Sequence, residues 1–319
     1  WSSDVCSSDL IYNLLQRVLY RMAEQGQTEY AQIPVISLNL MGEEKHTGFR
    51  ITPGLLSGGI AAGCYGDLIM CLYQQVKPYE QNPGETDRIR SQVEKKLCES
   101  IRRHRNGRHT REKNYRYACE VFSKVPVKPG KKKRVGITGE IYMKYSKLGN
   151  DDIESFLLRQ GMEPYSGGFV NYCLYLVDTE RYKAEKYQHN PIMAKACAFV
   201  LHRLCEAQKH LLTVIGETDR FQTDLPFPEL KEKVQGILAE GCNTGDGWLI
   251  AAEVIQYVEK GCGSVLILHP FGCLVSHVCE RGILQRLHAR FPDVSIQTIE
   301  YDYDQSKTLR ESRILLAIS

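Results

Sequence analysis

The stretch best suited to chemistry runs from residue 261 to 279 and carries a cysteine between a predicted strand and a predicted helix. The apolar run at 264–268 is bracketed by Gly and Pro, which is typical of a fully buried strand of a parallel sheet. A Phe-Gly turn follows the strand, and apolar residues return at helical spacing after Cys273. Because ligands of open α/β sheets bind beyond the carboxyl ends of the strands, we expect Cys273 to lie at the ligand-binding edge.

Residue spacing leaves four interpretations of Cys273 open. A thiolate nucleophile needs a base, and His277 lies four residues further along the predicted helix. A zinc site could add His269, His277 and Cys279, although this spacing matches no standard zinc motif. An iron–sulfur ligand needs further thiolates from elsewhere in the protein. The fourth interpretation is an inert buried thiol, since free cysteine packs as a small hydrophobic residue.

Two other predicted strands contribute residues to the same edge. The strand at 135–138 ends at Glu140, and the strand at 294–300 ends at Asp302. In a parallel sheet both ends lie on the side of the sheet that carries Cys273. The pattern shows no carboxylate pair suited to acid–base catalysis, since Asp302 and Asp304 are typical of a turn.

A glycine-rich loop at 241–247 precedes a predicted helix at 248–258. The free amides of such a loop can bind an anion at the start of a helix. The alternative is a flexible loop in which Asp246 caps the helix.

The predicted elements after residue 131 alternate between strand and helix, with one apolar segment at 169–176 that fits either. This order predicts an α/β domain at 131–319 with a parallel, flavodoxin- or Rossmann-like sheet covered on both faces. The preceding part, 11–130, is predicted to be a helix-rich lobe. It opens with an amphipathic helix at 11–25 and contains one buried strand at 33–40.

The composition is that of an ordinary globular protein with 319 residues, 43% hydrophobic residues and a net charge of +3. The basic runs at 102–117 and 128–134 are interpreted as a solvated face and a linker, so we predict no nucleic-acid partner. The second run, rich in Pro, Gly and Lys, is the predicted domain boundary. No apolar run reaches ~18 residues, so no membrane span is predicted.

Twelve cysteines without a CxxC pair favour reduced thiols in a cytoplasmic protein. No signal peptide is evident, which also predicts a cytoplasmic location. Residues 1–10 differ in pattern from the rest and include no initiator Met, so they are interpreted as an artefact. On that interpretation the chain is expected to be the C-terminal piece of a longer protein.

An ordered set of motifs from about residue 31 onward resembles the C-terminal dehydratase-like region of activase-fusion proteins. These proteins are related to 2-hydroxyacyl-CoA dehydratases, such as 2-hydroxyglutaryl-CoA dehydratase, and to benzoyl-CoA reductase subunits. Leu274-Val275-Ser276 stands where the family commonly has Leu-Pro-Asn. The motifs that carry the resemblance are Ile33-Pro34-Val35-Ile36-Ser37-Leu38-Asn39-Leu40, Gly48-Phe49, Tyr65-Gly66-Asp67-Leu68-Ile69-Met70, Lys77-Pro78-Tyr79-Glu80, Val135-Gly136-Ile137-Thr138-Gly139-Glu140-Ile141-Tyr142, Lys144-Tyr145, Gly149-Asn150, Gly247-Trp248-Leu249, Pro270-Phe271-Gly272-Cys273 and His277-Val278-Cys279.

The resemblance implies an oxygen-sensitive iron–sulfur lyase of anaerobes, with Cys273 as one thiolate ligand of a 4Fe-4S cluster. The other ligands are then expected from upstream cysteines. It further implies ATP bound on a separate activase ATPase, an electron donor such as ferredoxin or flavodoxin, and an acyl-CoA substrate that loses water through a ketyl radical. Glu140, Asn150, His277 and Asp302 are the predicted substrate-pocket residues. The alternative is a domain without chemistry of its own that docks an activase or partner subunit, and a third hypothesis is a Cys273/His277 hydrolase.

Overall fold

The computed structural model describes residues 7–33, 52–302 and 304–319. The chain forms two compact units, residues 1–52 and Pro53–Ser319. The strand predicted at 33–40 lies outside the described residues, except that Ile33 follows a short 3₁₀ helix.

The first unit contains the amphipathic helix that the sequence predicts, which the structure confirms as α1, Ser7–Glu24. A 3₁₀ helix, Thr28–Gln32, follows it. Leu14 and Val18 of the apolar face of α1 are exposed to solvent.

The second unit combines a parallel sheet with helices on both of its faces. Its helices are α2 Pro53–Val76, α3 Glu85–Arg102, α4 Arg108–Ser123, α5 Ile141–Tyr145, α6 Ile153–Arg159, α7 Phe169–Lys186, α8 Pro191–Gly216, α9 Phe227–Glu232, α10 Gly247–Glu259, α11 Arg281–Arg290 and α12 Lys307–Ile318. A 3₁₀ turn, Lys77–Tyr79, ends α2 where Pro78 removes a backbone donor. The apolar segment at 169–176 is the first half of α7.

The sheet has four strands in the order β2-β1-β3-β4, and every neighbouring pair is parallel. The strands are β1 Arg134–Gly139, β2 Glu163–Tyr165, β3 Ser264–Pro270 and β4 Ser295–Tyr301. The α/β class and the parallel sheet predicted from the sequence are therefore confirmed. The sequence analysis did not predict β2, because three residues are too few to show a strand period.

Both faces of β1 and β3 are covered by other elements, which is why these strands are buried. Val265 and Ile267 of β3 pack into a large core with α2, α4, α7, α8 and α10. Leu266 and Leu268 face the other way, into a smaller core with α5, α6, β4 and α12. The large core takes residues from both sides of residue 130, and the domain boundary at that position stays a prediction.

One helix, Gly54–Tyr79, is long and apolar enough to cross a membrane by length and composition alone. Mostly buried core helices of soluble proteins pass the same test, whereas 28% of the most apolar window of this helix is buried. Ala61, Cys64, Leu68 and Leu72 of this helix are fully buried in the large core. Its apolar character is therefore explained, on this face, by packing within the protein.

Candidate functional site

The carboxyl ends of β1, β3 and β4 lie on one edge of the sheet, because all their pairings are parallel. The predicted grouping of Glu140, Cys273 and Asp302 on this edge is therefore correct. Glu140 is 2% exposed and directly follows β1, whereas Cys273 and Asp302 are partly exposed. The edge thus combines one buried carboxylate with a thiol that solvent can reach.

Cys273 lies between the end of β3 and the helical turn that begins at Leu274. Burial raises the pKa of its thiol, while hydrogen bonds from the backbone and side chain of Ser276 act in the opposite direction. The negative charges of Glu280 and Glu140 also raise the pKa of Cys273. Its thiolate therefore forms less readily than that of an exposed cysteine unless a cation or metal stabilises it.

A single π-helical turn, Ser276–Glu280, connects Cys273 to α11. Such turns are rare and frequently mark functional sites. Nδ1 of His277 donates to the carbonyl oxygen of Cys273 at 2.8 Å, and the His277 ring contacts the ring of His269 with 5.6 Å between centroids. Nδ1 of His277 is thus engaged with the backbone, which leaves only Nε2 to accept a proton from a thiol.

Two further thiols approach this edge. Cys242 lies in the glycine-rich loop and Cys279 in the π-helical turn. Burial raises the pKa of Cys279 to about 11, and the charges of Cys242 and Cys273 contribute to the shift. Among residues 7–33, 52–302 and 304–319, no group of three or more His, Cys, Asp and Glu side chains could hold a metal ion, and no cysteine forms a disulfide.

Buried acids surround the edge; the sequence singles out Glu140 and, as a helix cap, Asp246, but not Glu280. Glu280 is 1% exposed, and burial raises its pKa to about 8. One of its oxygens accepts from the Ser276 hydroxyl at 2.8 Å, and the other, Oε2, has no partner within the part of the chain that the structure describes. Burial likewise raises the pKa of Asp246, helped by the charges of Glu140 and Glu280.

The glycine-rich loop places Asp246 at the N-cap position of α10, as predicted, but its side chain does not cap this helix. The backbone N–H of Ile141 instead hydrogen-bonds the Asp246 carboxylate. Gly247 has a φ of +25°, and a side chain there would meet the carbonyl oxygen of Cys242 at 2.1 Å. The absence of a side chain at Gly247 therefore allows its backbone to lie close to the carbonyl oxygen of Cys242.

A buried ion pair lies beside the acids, between α5 and α10. Nζ of Lys144 donates to both oxygens of Glu253, at 2.7 and 2.8 Å, and the Thr138 hydroxyl donates to Glu253 at 2.5 Å. The Lys144 and Glu253 side chains are 4% and 2% exposed. Burying two charges costs free energy that their attraction barely repays. Either side chain without its partner would be an uncompensated buried charge, so the two must stay paired.

Lys144 also lines a cleft of about 240 Å³ between α2, α3 and the segment after β1. Asn150 lines the same cleft, but its side chain has structural bonds: it donates to the carbonyl oxygen of Met143 and accepts from the N–H of Ile153. Glu140 caps α5 by accepting from the N–H of Met143. These two predicted pocket residues therefore hold the backbone around the site.

Asp302 and His277 belong to the outer part of the edge. The carboxylate of Asp302 accepts from the N–H of Asp304, which is the turn that the sequence predicts. A substrate role for Glu140, Asn150, His277 or Asp302 stays a prediction.

The unusual position of Glu253 is visible in the sequence. It is the one charge within the otherwise apolar run from Trp248 to Ile255, all of which is buried. A charge at the centre of a buried helix needs a partner. The partner Lys144 is 109 positions away, so only the fold reveals it.

Comparisons with protein-family models, with curated proteins and with solved structures give no match to this chain.

Proposed function

We propose that this chain is part of an iron–sulfur enzyme of the 2-hydroxyacyl-CoA dehydratase type or of a related low-potential reductase. The observation that supports the proposal is the place of Cys273: a partly exposed thiol just past the carboxyl end of β3. Ligands of parallel sheets bind at this edge. The motif resemblance supplies the identity of the chemistry.

The residues at the edge fit one ligand of a shared cluster, not a complete ligand set. Cys273 is accessible, whereas no metal-binding group exists among the residues that the structure describes. Coordination deprotonates a thiol and so overcomes the raised pKa of Cys273. On this proposal the other thiolates come from outside the described residues.

An iron–sulfur cluster supplies one-electron chemistry, which in this family serves the elimination of water from an acyl-CoA thioester. The chain itself contributes groups that hold protons near Cys273. With a pKa of about 8, Glu280 keeps its proton at neutral pH, and its Oε1 faces the Ser276 hydroxyl. We further propose an activase ATPase and a ferredoxin or flavodoxin as partners, and a cytoplasmic location.

Anaerobic reconstitution of the full-length protein with iron and sulfide tests the ligand assignment. We expect Cys273→Ala to lose most of the bound iron and the visible cluster absorbance. Cys98→Ala is the matched control, since Cys98 is an exposed thiol on α3, and it should keep both. Equal iron content in the two variants would refute the role of Cys273.

A second candidate function, docking of a partner protein, is favoured by a separate observation. Phe271, Leu274 and Val278 lie around Cys273 and are 68%, 66% and 63% exposed. Large apolar side chains grouped on a surface are typical of interaction sites. On this hypothesis the domain binds an activase ATPase or partner subunit and has no chemistry of its own.

Pull-down of the activase ATPase separates the two candidates. Docking alone predicts that Leu274→Ser weakens the complex and that wild-type protein reconstitutes no cluster. The enzyme proposal predicts cluster formation in wild-type and Leu274→Ser protein alike. Absence of a complex and of a cluster in wild-type protein would contradict both.

A further inference from the structure

The cleft beside Lys144 does not have Cys273 in its lining, and it offers hydrogen-bonding groups of both charges. It opens next to the carboxyl end of β1, since the N–H of Lys144 bonds the carbonyl oxygen of Glu140. The carboxyl ends of parallel strands are where α/β proteins bind ligands. Both the position and the concave shape thus suit a binding site.

Two cationic side chains of the cleft, Lys144 and Arg90, keep unused hydrogen-bond donors. An ammonium group has three N–H donors. Two bonds reach Glu253, and the structure shows no acceptor for a third donor within its described ranges. Nε of Arg90 donates to Glu94 at 2.7 Å, and the guanidinium stands 5.2 Å from the centre of the Tyr73 ring. Its two terminal nitrogens have no hydrogen-bond partner among the described residues.

Two carboxylates of the cleft, Glu94 and Glu154, keep unused acceptors. Oε1 of Glu94 accepts from Arg90, and Oε1 of Glu154 accepts from Nε2 of Gln74 at 2.6 Å. The second oxygen of each carboxylate accepts no hydrogen bond from the part of the chain that is described. Both side chains line the cleft. Unused acceptors therefore face the same space as unused donors.

The remaining charged groups of the cleft neutralise each other, since Lys147 pairs with Asp152 at 3.1 Å. A ligand with only negative charge would gain from Lys144 and Arg90 but would meet Glu94 and Glu154. A ligand with only positive charge would have the reverse difficulty. Arg90 itself pairs with Glu94, and Lys144 pairs with Glu253, so a molecule with one anionic and one cationic end matches the donors and acceptors that these pairs leave unused.

The cleft volume limits the size of that molecule. At about 240 Å³, the cleft is slightly smaller than the ~300–1,000 Å³ typical of sites for drug-sized ligands. We propose that the cleft binds a small zwitterion of the α-amino acid class, with its carboxylate toward Lys144 and Arg90 and its ammonium toward Glu94 and Glu154. This inference does not depend on the proposed function, because it involves neither Cys273 nor a cluster.

Isothermal titration calorimetry with three matched compounds tests the charge requirement. The probes are L-valine, isovalerate, which lacks the ammonium, and isobutylamine, which lacks the carboxylate. We expect valine to bind with a Kd below about 1 mM. Each half-charged analogue should bind about tenfold more weakly, because a charged hydrogen bond is lost. Equal affinity of isovalerate and valine, or no binding of valine, would overturn the proposal.

Two substitutions that leave the buried ion pair intact test the assignment of residues. Arg90→Gln and Glu154→Gln should each weaken valine binding about tenfold. Arg88→Gln is the control, because Arg88 lies on α3, does not line the cleft and is 68% exposed. It should leave the affinity unchanged. Equal affinities in Arg90→Gln and Arg88→Gln proteins would refute binding at this cleft.

Discussion

At the scale of single residues, the folded protein must keep the buried charges of Lys144 and Glu253 paired with each other. Both side chains are almost fully buried, and the bonds between them are 2.7 and 2.8 Å long. Removal of one partner leaves an uncompensated charge in the protein interior.

We predict that Lys144→Met lowers the free energy of unfolding by roughly 3–5 kcal/mol. Lys147→Met removes the nearby exposed pair with Asp152, where Lys147 is 61% exposed, and should cost less than about 1 kcal/mol. Urea unfolding followed by circular dichroism measures both. Similar losses in the two variants would contradict the buried character of the first pair.

A second residue-scale prediction concerns Glu280 and pH. Burial raises its pKa from the ordinary value of 4.5 to about 8, so between these pH values the native state holds a proton that the unfolded state has already lost. Stability contributed in this way is present below the unfolded pKa and is lost as pH rises through the folded pKa. We expect the free energy of unfolding to fall between pH 5 and pH 8, with a limiting slope of about 1.4 kcal/mol per pH unit.

Urea titrations at several pH values test this dependence. Glu280→Gln keeps the size of the side chain but cannot ionise, so the slope in this window should become shallower. An unchanged slope in Glu280→Gln protein would mean that other groups determine the pH dependence.

At the scale of elements, the contact between β1 and α10 depends on a glycine that the alternation pattern does not single out. A Cβ at Gly136 would lie 2.7 Å from Cδ2 of Tyr257, whose side chain is fully buried. The helix can therefore approach the strand closely only when residue 136 has no side chain. The local sequence pattern predicts β1 correctly. The short distance between β1 and α10 becomes visible only when the helix is packed against the sheet.

We predict that Gly136→Ala lowers the free energy of unfolding by about 1–3 kcal/mol, because the added methyl overpacks the contact with Tyr257. Gly59→Ala is the matched control, since a Cβ at Gly59, inside α2, meets nothing within 4 Å. That variant should raise stability by roughly 0.5–1 kcal/mol, because alanine favours a helix more than glycine does. Thermal unfolding of both proteins measures the difference, and a destabilising Gly59→Ala with a neutral Gly136→Ala would contradict it.

At the scale of the whole molecule, one large core joins the helices before residue 130 to the sheet after it. Leu68 of α2 and Ile267 of β3 are both fully buried in this core. Shared burial of this kind makes unfolding cooperative.

We therefore predict a single unfolding transition for residues 53–319. Leu68→Ala and Ile267→Ala should both shift this transition, each by about 2–5 kcal/mol. Fluorescence of Trp248, which is buried in the same core, should follow far-ultraviolet circular dichroism in urea. Two separate transitions, with Leu68→Ala affecting only one, would instead support a domain boundary near residue 130.

The sequence by itself determined the elements whose residues carry a local pattern. The apolar run before Cys273 predicts β3, and its place before a helix predicts a thiol at the carboxyl edge of a parallel sheet; the structure confirms both. These predictions succeed because period and turn residues act over a few neighbouring positions. The apolar segment at 169–176 has no period that separates strand from helix. In the folded protein it is helical and forms the first half of α7.

Only the tertiary structure decided which polar groups meet. Lys144 and Glu253 are 109 positions apart, Glu94 and Glu154 belong to different helices, and Glu280 approaches Glu140 through the packing of the π-helical turn on the sheet edge. Apart from Glu253, which stands alone in an apolar run, none of these charges differs in its local sequence from a charge on a solvated surface. The burial of the Lys144–Glu253 pair and of Glu280, and with it the raised pKa of Glu280, arises when distant elements remove water from the space between them. Such long-range contacts leave no trace in local spacing.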